Sequence, residues 1–269
     1  IYTTESSDRA FEEEVMLSGF AQAQVKPEGS GVVFDNAQET FTARYTHETV
    51  ALAFAITEEA IEDNLYDRLA SRYTKALARS MANTKQIKAA SLLINGLPGG
   101  TFKSGDGVTL FNTAHPTVAG TVKNTLTVAA DLNETSLEQS LIDINAFTDE
   151  RGLKVAARGV KMIVPSELQF TAERLMKSQG RTGTADNDLN AINSMGMIPQ
   201  GYRINNFLTD TDAFYIITDV PNGMKYFERS PIKTAMEGDF DTGNVRYKAR
   251  ERYSFGVSDF RGIFASPGA

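Results

Sequence analysis

Alternation of apolar and polar residues predicts a long extended segment early in the chain. Between residues 41 and 56 every second residue falls on one face, which begins polar and ends apolar: Thr42, Arg44, Thr46, Glu48, Val50, Leu52, Phe54 and Ile56. Sixteen extended residues would reach about 53 Å, which is too long for one strand inside a compact lobe. Because the part around Arg44 and Glu48 is polar on both faces, we predict a projecting hairpin arm, with residues 32–34 as its partner strand.

A four-residue spacing of apolar side chains predicts a long helix over residues 57–94. The repeat consists of Ile61, Leu65, Leu69, Tyr73, Leu77 and Met81. Thr57 is a suitable N-cap, and Asn95 and Gly96 are typical of a helix end. Because an unbroken helix of this length would reach about 57 Å, a break near Asn83 is an alternative.

The second half of the chain alternates between helix and strand. Thr135 and Glu138 suggest a capping box for a helix with an apolar stripe, namely Leu137, Leu141, Ile144 and Phe147. A second helix is predicted from Ser166 to just before Gly180. Strands are predicted at residues 160–164, 202–205, 213–218 and 224–228. Residues 179–188 contain almost no apolar side chain, which predicts a mobile loop.

A second hairpin is predicted near the end of the chain. Asp241, Thr242 and Gly243 favour a turn between residues 232–237 and a long strand over residues 244–257. One face of that strand is basic and consists of Arg246, Lys248, Arg250 and Arg252. A nucleic-acid stripe would carry aromatic residues on the same face, and this one does not. We therefore favour pairing with acidic neighbours across the hairpin, which are Glu237, Asp239 and Asp241.

Composition and charge limit the classes of function. The chain carries 27 basic and 34 acidic residues, so its net charge of −7 argues against a dedicated nucleic-acid-binding protein. Its apolar runs are far shorter than the roughly 20 residues of a membrane span. Residues 1–19 are acidic and contain few apolar side chains, so they are predicted to be an arm that needs a partner surface. Cysteine is absent, so stability must come from packing and association.

Candidate catalytic chemistry is sparse. The two histidines, His47 and His115, lie far apart, and we interpret them as a strand residue and a loop residue with local hydrogen bonds. The sequence contains neither a G-x-S-x-G elbow nor a phosphate-binding glycine motif. We therefore assign no catalytic residue, no cofactor and no metal site.

The order of elements resembles that of the Hong Kong 97-type major capsid proteins of tailed bacteriophages. Three segments are similar to Mu-like major head subunits: RYTHETVALAFAITEEAIEDNLYDR (44–68), LFNTAHPT (110–117) and RYSFGVSDFRGIF (252–264). The resemblance covers essentially the whole chain and implies an α+β fold. It also implies an N-terminal arm, an E-loop hairpin, a peripheral domain in two parts with a spine helix at 57–94, and an axial domain. Their expected ranges are 1–24, 25–56, 57–132 with 229–269, and 133–228.

The resemblance further implies a structural function. The chain would self-assemble into pentamers and hexamers of an icosahedral shell that encloses double-stranded DNA with at most nonspecific contact. It would be part of the virion, assembled in the cytoplasm of a bacterial host, with portal, scaffold and cement proteins as further partners and without a membrane. Some relatives crosslink a lysine of the hairpin arm to an asparagine of a neighbour. Residues 41–56 contain no lysine, so we expect noncovalent assembly or reinforcement by a separate cement protein.

Seven residues are candidates for the assembly interface. Three belong to the predicted arm and four to the basic strand: Arg44, His47, Glu48, Arg246, Lys248, Arg250 and Arg252. One alternative is a cytoplasmic α/β enzyme with a site in residues 133–228, which would be compact and form at most a small oligomer. A second alternative is another phage structural protein, such as a cement or tail component.

Overall fold

The computed structural model describes residues 1–63, 69–181 and 188–269. In chain order the elements are β1 (Thr3–Ser6), β2 (Phe11–Leu17), β3 (Glu39–Thr46), β4 (Glu48–Ile56), α1 (Glu58–Glu62), α2 (Leu69–Asn95), β5 (His115–Thr117), β6 (Gly120–Val122), α3 (Glu134–Asn145), β7 (Gly159–Val164), α4 (Gln169–Lys177), α5 (Ala191–Ser194), β8 (Tyr202–Ile204), β9 (Phe214–Thr218), β10 (Met224–Gly238), β11 (Val245–Val257), a 3₁₀ helix (Phe260–Gly262) and β12 (Ile263–Ser266).

A compact lobe contains the main hydrophobic core. Its sheet has the strand order β12-β9-β7-β8, and α3 packs against it. Gly159 allows this approach, because a Cβ there would lie 2.9 Å from the Leu141 side chain. The apolar residues of α3 predicted to be buried are buried, together with Phe147 just beyond the helix. The lobe therefore completes a core within one chain.

An extended sheet projects from this lobe, with the strand order β1-β10-β11-β4. The long strands β10 and β11 form an antiparallel hairpin, in which Met224 pairs with Val257 at the base and Gly238 with Val245 at the tip. Gly243 adopts a φ of +66° in the connecting turn, a conformation that glycine allows at little cost. The predicted turn and the predicted long strand are thus both confirmed, although that strand is not the last element, because β12 follows it.

Helix α2 lies on one face of the extended sheet. Leu77 and Met81 bury against Ala249 of β11, and the Tyr73 ring lies 5.6 Å from that of Phe54 on β4. The helix is continuous past Asn83 and ends at Asn95, so the alternative of a break at that position is wrong. Residues 64–68 of the predicted 57–94 helix lie outside the described residues. At its C-terminal end α2 enters the core of the lobe, so it connects the lobe with the sheet.

The strand partners near the start of the chain differ from those predicted. Residues 32–34 form no strand; β3 pairs with β2 and β4 pairs with β11. The predicted single strand over residues 41–56 is divided at His47, because its two halves join different sheets. The acidic segment 1–19, predicted to need a partner surface, contains β1 and β2, and both pair within the chain. The projecting hairpin therefore consists of β2, β3 and the loop between them.

Three smaller differences concern the lobe. The N-cap of α3 is Asn133, which forms a capping box with Ser136, two residues before the predicted one. Strand β12 pairs with β9 and so belongs to the sheet of the lobe, although residues 229–269 were expected to complete the peripheral domain. Most of the predicted loop at residues 179–188 lies outside the described residues, since 182–187 are among those not described.

Candidate assembly surfaces

The loop between β2 and β3, residues 18–38, projects apolar side chains into solvent; we call it the projecting loop. Its base is held to the body by Arg151, whose Nη2 donates to the Asn36 carbonyl at 2.8 Å. Beyond this anchor Val25 and Phe34 are 95% and 94% exposed, and Val32 and Val33 are also exposed. Exposed apolar side chains grouped on a protein surface are typical of an interaction site.

Arg44 and Glu48 lie in ion pairs within the chain. The Nε atom of Arg44 on β3 lies 3.6 Å from Glu13 Oε1 on β2, and its guanidinium lies over the ring of Phe11. Glu48 on β4 pairs with Lys88 of α2. Both pairs are largely exposed, so each contributes little to the stability of the subunit. Their side chains remain accessible to a second molecule.

His47 is buried, and this excludes it as a surface residue. Its Nε2 lies 2.9 Å from Ser7 Oγ and its Nδ1 lies 3.0 Å from Ser254 Oγ. Burial and the nearby Arg252 lower the pKa of His47 below its ordinary value. The assignment of His47 to the assembly interface is therefore wrong: from its position between β3 and β4 it contacts Ser7, just after β1, and Ser254 of β11 inside one subunit.

The basic residues of β11 lie on the face of the sheet opposite α2. Arg246, Lys248 and Arg250 are exposed, and Arg252 is half-buried beside His47. The predicted pairing across the hairpin is confirmed only between Arg246 and Asp239. Within the described part of the chain, no carboxylate lies within 4.0 Å of the other three side chains.

This face therefore carries uncompensated positive charge. Lys233 on β10 stands directly opposite Arg250 and adds a further cation. Small side chains flank the basic column on β4, where Ala51, Ala53 and Ala55 pair with Arg250, Lys248 and Arg246. A flat basic surface beside a row of alanines is open to an acidic partner.

A buried lysine at the base of the extended sheet was not found by sequence reasoning. Lys225 of β10 pairs with Glu5, at 3.0 Å, and with Glu14. Burial lowers the pKa of Lys225, but the pairs with Glu14 and Glu5 outweigh it and raise that pKa above its ordinary value. Glu14 also accepts a hydrogen bond from Ser258. The alternating Glu12 and Glu14 were a possible signal for this cluster, because they point to one face of a strand.

Two further buried polar clusters hold the lobe together. Arg261 donates from Nη2 to Glu150 at 2.7 Å and from Nε to the Thr148 carbonyl at 2.7 Å. His115, which begins β5, lies 2.5 Å from Asp106 and 3.0 Å from Asn124. Burial raises the pKa of Asp106, but hydrogen bonds from His115 and Ser104 outweigh it and lower that pKa. The first cluster connects distant segments of the chain, and the second does so through Asn124, whose Nδ2 donates to the Phe260 carbonyl at 3.1 Å.

A depression in the lobe shows little that suggests catalysis. It has a volume of about 560 Å³, is lined mainly by aliphatic and backbone groups and contains one guanidinium and one carboxylate, those of Arg158 and Asp219. Among the described residues no three His, Cys, Asp or Glu side chains are grouped as metal ligands. None of the described helices has the length and apolar character needed to cross a membrane.

Comparison with known proteins identifies both a family and a fold. Residues 39–266 match the family model described as "Phage capsid protein". No curated protein sequence gives a significant match.

Three solved structures share the architecture over nearly the whole chain. The capsid of an empty GTA particle has a TM-score of 0.62 at 15% identity and covers 98% of this chain and 87% of its own. The capsid of cyanophage P-SCSP1u has a TM-score of 0.61 at 11% identity, with coverages of 98% and 85%. The capsid of Myoviridae phage XM1 has 0.59 at 12%, with coverages of 100% and 89%. These matches confirm the predicted α+β fold of the Hong Kong 97 type.

Proposed function

Because the chain belongs to the phage capsid protein family, we propose that it builds a closed icosahedral shell of pentamers and hexamers around double-stranded DNA. Like the other members of this family, the chain is a structural major capsid protein. The icosahedral assembly and the DNA inside it are the parts that we propose for this chain.

The observation that carries the proposal is the amount of apolar and charged surface left uncovered by one chain. The projecting loop exposes Val25, Val32, Val33 and Phe34, and the basic residues Arg246, Lys248 and Arg250 of β11 are exposed as well. Obligate interfaces typically bury 2,000 Å² or more, and such an area requires surfaces of this kind. Several contacts per subunit would give a shell its stability without covalent crosslinks.

In the proposed shell, three parts of the chain would form the E-loop, the peripheral domain and the axial domain. The hairpin of β2, β3 and the projecting loop would act as the E-loop, although the expected range was 25–56. Helix α2 would be the spine helix of the peripheral domain. The outer parts of β10 and β11 would belong to the same domain. The lobe, with residues 133–228 as its main part, would be the axial domain near the centre of each capsomer.

Partners beyond the chain itself follow from the same proposal. The shell would reside in the virion, after assembly in the cytoplasm of a bacterial host. Portal, scaffold and cement proteins are the expected protein partners. The net charge of −7 supports only nonspecific contact with the enclosed DNA.

The test is the mass and shape of the purified native assembly, measured by multi-angle light scattering and negative-stain electron microscopy. We expect megadalton icosahedral particles, or pentamers and hexamers that convert to them. A compact monomer or dimer at every protein and salt concentration would contradict the proposal and favour the enzyme alternative. A matched variant, Phe34→Asp, should assemble less while its circular dichroism spectrum remains unchanged, because Phe34 has almost no contact within the subunit.

A further inference from the structure

Strand β4 forms an open edge of the extended sheet. It pairs with β11 on one side, and no described strand pairs with it on the other. Residues 49–56 include no charged residue, no proline and no glycine. An edge of this composition is a template for another strand, and soluble proteins usually protect such edges.

The opposite edge of the same sheet is protected. Strand β1 ends its pairing at Glu228, so the outer half of β10 is also an edge. That half contains Pro231 and Lys233, and its register with β11 shifts on both sides of Ser230. Proline, lysine and bulges are the devices that prevent strand addition. The contrast indicates that the β4 edge is left open for a partner.

An apolar groove runs beside β4. It lies between β4 and α2, has a volume of about 410 Å³ and is lined mainly by Leu52, Phe54, Tyr73 and Leu77. Leu52 and Tyr73 are each almost half exposed, so the groove is not filled by the subunit itself. Its size and lining suit one large aromatic side chain together with a smaller aliphatic one.

Residues 32–34 of the projecting loop have the matching properties. Val32, Val33 and Phe34 are residue types enriched in strands, yet they pair with no strand of the described chain. All three are exposed. In an added strand, alternation would place Val32 and Phe34 on the side of the groove and Val33 on the side of Ala51, Ala53 and Ala55.

We propose that residues 32–34 of one subunit add as a strand to β4 of a second subunit, with Phe34 in the groove between β4 and α2. This inference rests on the proposed shell and specifies how the projecting loop contacts its neighbour. The extended sheet then continues across the subunit boundary, so backbone hydrogen bonds join the two copies while the groove selects the side chain.

Disulfide trapping tests this contact, and the absence of cysteine from the chain makes the background zero. Val33→Cys is combined in turn with Ala51→Cys, Ala53→Cys and Ala55→Cys, which sample the register in steps of two residues. The control combines Val33→Cys with Ala235→Cys. Ala235 and Ala53 both pair with Lys248 and lie on the same face, but at opposite edges of the sheet. Assembled particles are oxidised and analysed on non-reducing gels.

We expect crosslinked multimers from at least one β4 pair, at a level at least about tenfold above the Ala235 control. Particles that form normally but crosslink at none of the β4 pairs, or equally at Ala235, would overturn the inference and leave the proposed shell intact. If the single variant Ala53→Cys forms crosslinked dimers, two copies of β4 lie edge to edge. That result would also overturn the inference. If the unmodified chain forms no particles, it is the proposed shell that fails.

A second measurement does not depend on cysteine geometry. Phe34→Ala should raise the subunit concentration needed for assembly by about tenfold, because Phe34 is the side chain placed in the groove. Val25→Ala, in the same loop and equally exposed, should change it less than about twofold. Equal effects of the two substitutions would refute the assignment of Phe34 to the groove.

Discussion

The lobe and the extended sheet use their strands in opposite ways. In the lobe, Met162, Ile163 and Val164 of β7 are all fully buried, and so are Phe214, Tyr215 and Ile216 of β9, which means that both faces of this sheet are covered. In the extended sheet, α2 covers one face of β11, and the other presents Lys248 and Arg250 to solvent. The stability of the isolated subunit should therefore reside mainly in the lobe, while the sheet provides surface for other subunits.

Two phenylalanine substitutions, one in the lobe and one in the extended sheet, should differ most in their effect on stability. Phe264→Ala removes a fully buried ring from the lobe and should cost about 3–5 kcal/mol in the free energy of unfolding. Phe240→Ala, at the tip of the β10–β11 hairpin, removes a fully exposed ring and should change it by less than about 0.5 kcal/mol. Denaturant unfolding of the unassembled subunit measures both, and similar costs would contradict the division of roles.

The next effect concerns the attachment of the N-terminal strands to the sheet. Lys225→Met should destabilise the subunit by about 1–3 kcal/mol, because Glu5 and Glu14 lose their buried counter-charge. Limited proteolysis should cut residues 1–17 faster in this variant. The double variant with Glu14→Gln should recover part of the loss; a double variant as unstable as the sum of the singles would contradict the pairing.

The pH dependence of stability should reveal the burial of His47 between β3 and β4. The pKa of this residue is lowered in the folded state, so the unfolded chain binds a proton more readily. Stability should therefore be fully present above the unfolded value of 6.5 and decrease as the pH falls through it towards the folded pKa, by at most about 1.4 kcal/mol per pH unit. Unfolding curves of His47→Gln should have a flatter pH profile, and an unchanged profile would exclude His47 as its source.

The smallest effect is expected on the bare face of the sheet. Lys248→Gln and Arg250→Gln should each change the free energy of unfolding by less than about 0.5 kcal/mol, because neither has a carboxylate partner within the described chain. Arg250→Gln should be neutral or slightly stabilising, since it removes a like charge opposite Lys233. Thermal unfolding of the unassembled subunit measures these changes in stability. Arg246→Gln is the comparison, because that substitution removes the ion pair with Asp239.

Local signals in the sequence predicted local structure well. Gly243 indicated the hairpin turn, and Asn95 and Gly96 the end of α2. Of the four-residue apolar repeat, Leu77 and Met81 are buried and Tyr73 is almost half exposed. Each of these signals depends on residues close together in the chain. The α+β fold itself was inferred from a resemblance to a family, which the comparisons support.

Pairing between distant strands could not be predicted in the same way. Alternation shows which residues share a face, but it does not identify the strand that pairs with them. Residues 32–34 had the composition of a partner for β3, whereas the acidic β2 is the actual partner, because Lys225 and Ser258 neutralise or bind its inward Glu14. The candidate site shows the same limit of sequence reasoning. His47 was predicted to lie on the surface, but Ser7 and Ser254, which are distant in the sequence, contact it in the fold.

The register shifts near Ser230 have a mechanical consequence. A bulge allows a strand to bend at one point, and the hairpin continues from Ser230 to Gly238 for about 26 Å. A rotation of about 10° at this point would carry the tip through about 4–5 Å. Because β11 pairs with β4 without a register shift, the outer strands of the sheet would bend together with α2. Such bending would let identical subunits meet their neighbours at different angles on a curved surface.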